Sequence, residues 1–231
     1  MYYIGMSKIV IYHGSPRIVE KPIFNFVSQV NDYGYGFYCT QDIEIAKEWA
    51  NRSTKEGFLN SYLIDLDSLK VLDLTNSKYS PLHWITILLT HRMLSSEHLK
   101  RYRLPLEYLK NHYSIDISQY DVIIGYRADD AYFRFPLLFM DNVLSVERLE
   151  EIYRLGDLGI QIFIQSEKAF SKLKYIDSKQ VDEEYFYKYR ERLNATKQKF
   201  EQIRDEEMYS AGTRLRDLML GEKKWLLIQK N

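Results

Sequence analysis

The residues best placed to do chemistry stand in two short stretches. The first is Ile9-Val10-Ile11-Tyr12-His13-Gly14-Ser15, the second Tyr33-Gly34-Tyr35-Gly36-Phe37-Tyr38-Cys39-Thr40. In the first, a β-branched run that favours a buried strand ends in a histidine, a glycine and a hydroxyl. An imidazole offers both a donor and an acceptor near neutral pH, and a rigid strand end can aim it. Gly14 is expected to let the backbone leave the strand in a conformation other residues avoid, and to let a ligand approach the main chain. A histidine that merely caps a strand is the plainer alternative. The second stretch adds a short strand with polar-tipped rings, a type of side chain suited to lining a site.

Several other chemistries are excluded. Gly34-Tyr35-Gly36 lacks the third glycine of a dinucleotide fingerprint and enters a strand rather than a helix, and there is no Walker loop. His91 and His98 could share a helix face, but no carboxylate or cysteine joins them at ligand spacing, so no metal site is expected. Cys39 has no histidine near it in sequence and reads as a small hydrophobe on a strand. Being the sole cysteine, it permits no intrachain disulfide, which suits a reducing compartment. Lys plus Arg and Asp plus Glu both number 32, so nothing calls for nucleic acid or an anionic membrane. No apolar run, Ile85-Thr86-Ile87-Leu88-Leu89 included, is long enough to cross a bilayer, and the first residues do not read as a signal peptide. A cytoplasmic protein is expected.

The elements that would position these groups follow from pattern. Residues 8–12 form a first strand, residues 14–35 a long loop, and residues 36–39 a second strand. Thr40 is expected to cap a helix with Ile43, Ala46, Trp49 and Ala50 on one face. Strands follow at 58–66 and 70–74. Residues 81–113 read as two helices separated or kinked by Pro105, one with Leu82, Ile85, Leu88, Leu89 and Met93 inward, the other with Leu99, Tyr102, Leu106 and Leu109. A central strand at 121–125 leads to Arg127, Asp129 and Asp130, a cluster that either positions a ligand or caps the next helix, which runs to about 142. A helix at 144–155, a strand at 160–164 and a short helix capped by Ser166 complete the core. From about residue 182 the chain turns to alternating charge, with Phe186, Tyr189, Leu193, Thr196, Phe200 and Ile203 at three-and-four spacing. That seam docks on its own domain or binds a helical partner. A last helical piece lies between Gly212 and Gly221, and residues 224–228 suggest a final strand. Strands scattered among helices without a β-α-β rhythm predict an α+β fold.

Taken together, four motifs resemble a bacterial family catalogued as domain of unknown function 3990, and more broadly the ADP-ribosyltransferase superfamily. They are Tyr12-His13-Gly14-Ser15, the run from Tyr33 to Asp42 with Ala46-Lys47-Glu48-Trp49-Ala50, Gly125-Tyr126-Arg127-Ala128-Asp129-Asp130, and Gln161-Ile162-Phe163 with Ser166-Glu167-Lys168-Ala169. The resemblance implies a split-sheet NAD-binding domain over residues 1–180, with a helical insertion near 79–113 and a helical extension over 181–231. It also implies NAD as substrate. His13 would hold a ribose hydroxyl, and Gly14 would offer its backbone to the nicotinamide amide. Tyr38 would stack on the nicotinamide ring, with Trp49 closing the other side. Ser15 would begin the loop that covers the adenosine part, and Arg17 could meet the pyrophosphate.

Gln161 departs from the pattern, because related transferases place a glutamate there. Breaking the nicotinamide–ribose bond builds positive charge on the sugar, and an amide lacks the charge to meet it. Gln161 could also be an ordinary edge-strand polar residue. Glu167 is a candidate substitute carboxylate, against the plainer role of a solvated first-turn residue. The expected activity is therefore single transfer of ADP-ribose to a macromolecule, with a catalytically idle NAD- or nucleotide-binding module as the alternative. The resemblance further suggests a toxin neutralised by a neighbouring protein.

Overall fold

A computed structural model of the chain describes residues 7–24, 31–92, 94–128, 133–155 and 159–221. Among the described residues seven strands make two sheets. One holds β1 (Lys8–Ser15), β3 (Gly57–Asp65) and β7 (Leu173–Val181) in the order β1-β3-β7. The other holds β2 (Phe37–Cys39), β4 (Val71–Asp73), β5 (Val122–Tyr126) and β6 (Ile160–Ile164) in the order β2-β6-β5-β4. All pairs are antiparallel except β4 with β5. The fold is mixed α+β with a sheet divided in two. Among the described residues a single bridge, Tyr12 to Thr40, joins the two sheets: each residue's N–H donates to the other's carbonyl, at 2.7 and 2.9 Å.

The two faces of the second sheet bury against different layers. Side chains alternate along a strand, so Phe37, Cys39, Ile162 and Ile164 turn to one face. There they meet Ile9, Ile11, Tyr62 and Ile64 of the first sheet. Each such aliphatic, fully buried, contributes roughly 1.5–3 kcal/mol. On the opposite face Ile123 and Phe163 meet a helical layer. That layer includes α2 (Pro81–His91), α4 (Arg103–Tyr113) and α6 (Val146–Leu155). α2 is buried nearly all round, as its apolar sequence requires. On the outer face of the first sheet, α1 (Ile43–Ala50) places Ala46 and Ala50 against Leu59 and Val181. The remaining helices are α3 (Ser96–Arg101), α5 (Arg134–Met140), α7 (Glu167–Ser171), α8 (Glu184–Glu207) and α9 (Leu215–Met219). Among the described residues no helix is long and apolar enough to cross a membrane.

Several local expectations are corrected. β1 runs on through Ser15, so His13 and Gly14 lie inside the strand, paired with Asn60 and Leu59. Gly14 has no left-handed backbone. A Cβ there would stand 1.9 Å from the Ala46 carbonyl oxygen and 2.4 Å from the Ala50 nitrogen. Glycine is needed because the α1 backbone lies directly on the strand. α1 is capped by Asp42, whose Oδ1 accepts from the Glu44 and Ile45 N–H groups, while Thr40 is used in the sheet bridge. Pro105 sits in the first turn of α4, where its missing N–H has no intrahelical partner, and α3 ends just before it at Arg101, so it separates helices as expected, though the described residues of 81–113 hold three helices rather than two. His91 ends α2 and His98 lies on α3, so they share no helix, and Leu99 is half-exposed. β7 was not expected, because an edge strand with polar side chains on both faces lacks clean alternation. Met93, Asp129, Asp130 and the expected strand at 224–228 lie outside the described residues.

α8 packs against α1 and α5 and buries Tyr189, Thr196, Phe200 and Ile203 of the expected seam; Phe186 and Leu193 are only partly buried, and Tyr185 is buried instead. Phe200 meets Phe135 of α5 with ring centroids 5.2 Å apart. Arg192 donates to Glu48 of α1 at 2.6 Å.

Candidate functional site

The Tyr12–Thr40 bridge sets the site. His13 follows the bridge on β1 and Tyr38 precedes it on β2, so the two residues face each other across the junction. The His13 Nδ1 lies 2.7 Å from the Tyr38 carbonyl oxygen. That oxygen can only accept, which assigns the proton to Nδ1 and leaves Nε2 as an acceptor. Burial lowers the His13 pKa, so the neutral ring is favoured. Its ring also rests on Phe37, centroids 4.4 Å apart.

Tyr38 pairs with Phe163 across β2 and β6, and their rings meet at 4.8 Å. Its hydroxyl is consumed locally, donating to the Gly34 carbonyl at 2.8 Å and accepting from the Tyr33 N–H at 3.0 Å. The ring, rather than the hydroxyl, is therefore what Tyr38 can offer. Burial raises its pKa far above the ordinary tyrosine value, which keeps it neutral. Gln161 stands two residues before Phe163 on β6 and so points to the same face. It sits opposite Gly125 of β5. A Cβ on Gly125 would collide with the Tyr33 hydroxyl at 2.2 Å, so glycine leaves room for that ring beside Gln161.

Gln161 is buried, and its Nε2 donates to Asp32 Oδ2 at 2.9 Å and to the Tyr126 carbonyl at 3.2 Å. The same carbonyl accepts from Tyr33 Oη at 3.0 Å and Trp84 Nε1 at 2.8 Å, which pins the end of β5. Asp32 is itself only 4% exposed. Besides Gln161 it accepts from the Ala128 N–H at 2.8 Å and from Arg92 Nε at 2.9 Å. Arg92 also donates to the Ala128 carbonyl. Burial raises the Asp32 pKa, against the opposing pull of Arg92 and the other donors.

These side chains line one cavity of about 340 Å³. His13, Gly14, Ser15, Asp32, Tyr38, Trp49, Arg52, Arg92, Arg127 and Gln161 all contribute to its wall. Trp49 reaches it from α1, with the Arg127 guanidinium 5.0 Å from its ring. The Trp49 Nε1 is buried and has no hydrogen-bond partner among the described residues. A second cavity of about 630 Å³ shares the His13, Ser15, Pro16, Asn31 and Tyr38 wall and continues over Arg17, Ile18, Val19, Phe37 and Phe170. The first cavity, rich in guanidinium groups, suits an anionic ligand; the second, with more apolar and aromatic lining, suits a ring.

The structure thus brings His13, Gly14, Ser15, Tyr38, Trp49, Arg127 and Gln161 to one wall. Glu167 is elsewhere: it is an exposed first-turn residue of α7, at the far end of β6 from Gln161, and lines neither cavity. Asp32 and Arg92 were missed in the sequence. They lie 60 residues apart, and Asp32 is 129 residues from Gln161, so no local spacing joins them. No curated protein and no solved structure matches the chain. A family model described as a protein of unknown function, DUF3990, matches residues 9–175. The elements that build the cavity, from His13 on β1 to Gln161 on β6, all fall within that match, and the chain belongs to this family.

Proposed function

We propose that this protein binds NAD across the two adjoining cavities and transfers ADP-ribose to a macromolecular acceptor. The observation that carries the reading is the convergence of His13, Tyr38 and Gln161, from three strands, on one arginine-lined cavity. In this reading His13 Nε2 accepts a ribose hydroxyl, and the faces of Tyr38 and Trp49 bound the nicotinamide. Arg52, Arg92 and Arg127 meet the pyrophosphate, which bidentate guanidinium groups suit. The ribose C1′–nicotinamide bond breaks with its electron pair passing to the ring nitrogen. An acceptor lone pair then bonds C1′, and the acceptor's proton leaves to solvent. Positive charge peaks on the ribose between those events, and in this reading the side-chain oxygen of Gln161 is the acceptor set against it. A protein partner that covers the cavity mouth would neutralise such an activity.

A second reading, an idle NAD-binding module, is favoured by one feature. Gln161 is an amide, and guanidinium groups outnumber carboxylates along the first cavity, which suits a bound anion better than a developing cation. One pair of measurements separates the readings. NAD raises the melting temperature under both, since a ligand bound only by the folded state adds about 2.7 kcal/mol at a hundredfold excess over Kd. Nicotinamide release occurs only under the first, and His13→Ala and Tyr38→Ala abolish it with the melting transition retained. A protein whose melting NAD does not move and which releases no nicotinamide defeats both.

A further inference from the structure

We infer that Asp32 is the carboxylate of this site, acting one hydrogen bond behind Gln161 as a positioning residue. The inference rests on the NAD-cleaving reading above and names where that site keeps its negative charge.

Burying a carboxylate is costly unless it is paired and hydrogen-bonded. Asp32 meets that requirement with donors from three separate segments: Arg92 after α2, the Ala128 N–H after β5, and Gln161 on β6. Two of those donors, Arg92 and Gln161, line the same cavity as Asp32 itself. Gln161 Nε2 is occupied by Asp32 and by the Tyr126 carbonyl, both acceptors. Two acceptors on one NH2 group fix which end of the amide is nitrogen. Oε1 is then the atom Gln161 has to give a ligand hydroxyl. A carboxylate accepting from an amide N–H increases the partial negative charge on that amide's oxygen, and in a site of low dielectric the effect is larger than in water. Asp32 and Gln161 together present what one glutamate would present alone: an acceptor oxygen at the sugar, and a full charge within one side chain of it. Arg92 holds the far oxygen of Asp32 and keeps it aimed at the amide.

The test is steady-state nicotinamide release from NAD, with NAD affinity measured separately by calorimetry. Asp32→Asn lowers kcat about 10²-fold, the size of effect that loss of one electrostatic stabiliser produces, while NAD affinity changes far less. Placing the charge directly on the strand, in Asp32→Asn/Gln161→Glu, restores kcat over Asp32→Asn. Gln161→Glu alone gives no gain, because two carboxylates in contact share one proton. If Asp32→Asn does not fold, Asp32→Asn/Arg92→Met removes both charges and avoids a lone buried cation; it is compared with Arg92→Met, and kcat still falls. A kcat near that of its reference, the parent protein for Asp32→Asn and Arg92→Met for the double variant, overturns the role of Asp32 alone. So does a loss confined to NAD affinity. A parent protein that binds NAD and releases no nicotinamide overturns the transferase reading and this inference together.

Discussion

Two buried ion pairs can be set side by side. Arg214 and Glu207 meet at 2.8 Å where the end of α8 turns into α9, and Arg92 and Asp32 meet at 2.9 Å on the cavity wall. Both pairs are well buried, yet their carboxyls shift in opposite directions. For Glu207 burial pushes the pKa up, but the Ser145 N–H, Arg214 and Ser210 outweigh it and hold the group below its ordinary value. For Asp32 burial wins and the pKa rises. The difference lies in the carboxyls: desolvation outweighs the donors around Asp32 and is outweighed by those around Glu207. Arg214 spends its guanidinium on Glu207, on the Glu207 and Val143 carbonyls and on both Ser210 oxygens. It is saturated by protein and staples the C-terminal segment to the loop before α6. Arg92 lines a cavity, as does its carboxylate partner. One pair is enclosed by protein; the other stands on a cavity wall, where the ligand of the proposed reading would meet it.

The largest expected effect breaks the staple. Arg214→Ala leaves the Glu207 carboxylate buried without its cation, a loss of about 3–5 kcal/mol. For a chain of this size that lowers the melting temperature by about 10 °C, measured by circular dichroism. The shift NAD induces in melting should be unchanged, because no cavity residue is touched. A variant that melts like the parent protein would show that the pair is no staple.

A smaller effect joins stability to the site. Gly14→Ala drives a Cβ into the α1 backbone, and overpacking of this kind costs about 1–3 kcal/mol. α1 must move off β1 to admit it, and Trp49 moves with α1. The variant should keep a cooperative transition at lower temperature and lose the NAD-induced shift. Retention of that shift would detach Trp49 from the ligand.

Gly14 also shows how far the sequence could be read. Its importance was visible in the Tyr-His-Gly ending, but the reason was not, because the helix that lies on it comes 32 residues later. The strand at 58–66 was legible by its alternation, those at 121–125 and 160–164 by their short apolar runs, and α8 by its repeating seam. β7 was obscured by its exposed edge. His13 and Tyr38 stood out by type and by neighbouring glycines, and Gln161 only through the family resemblance. Asp32 did not: an aspartate beside an asparagine in a loop looks like any turn residue. Only the folded chain puts it against Gln161 and Arg92, with donors arriving from the ends of α2, β5 and β6. Local pattern reports elements; a buried charge is recognisable only once its donors arrive from distant segments.

The smallest effect separates the two regions by pH. His13 has a folded-state pKa below its unfolded value, because burial disfavours the charged ring. Below about pH 6.5, the ordinary histidine value, the unfolded chain takes up a proton that the folded chain refuses. Stability is therefore complete above that pH and falls as acid is added, by at most about 1.4 kcal/mol per pH unit for one group. Glu207 has the opposite kind of shift for an acid, lowered in the folded state. Its contribution is present above the ordinary glutamate range and is lost only as pH falls through its lowered value. Asp32, raised by burial, binds its proton first in the folded state and so adds nothing to the acid loss. Melting followed from pH 7.5 to 5.5 should thus report the cavity and not the staple. His13→Asn keeps an N–H able to reach the Tyr38 carbonyl but cannot titrate. Its melting temperature should start below that of the parent protein at pH 7.5 and close the gap by pH 5.5. His83 and His91, also lowered by burial, are common to both proteins and cancel in the difference. A gap that stays constant over that range would mean that His13 is protonated as readily in the fold as out of it, and the neutral imidazole offered to the ribose would be lost with it.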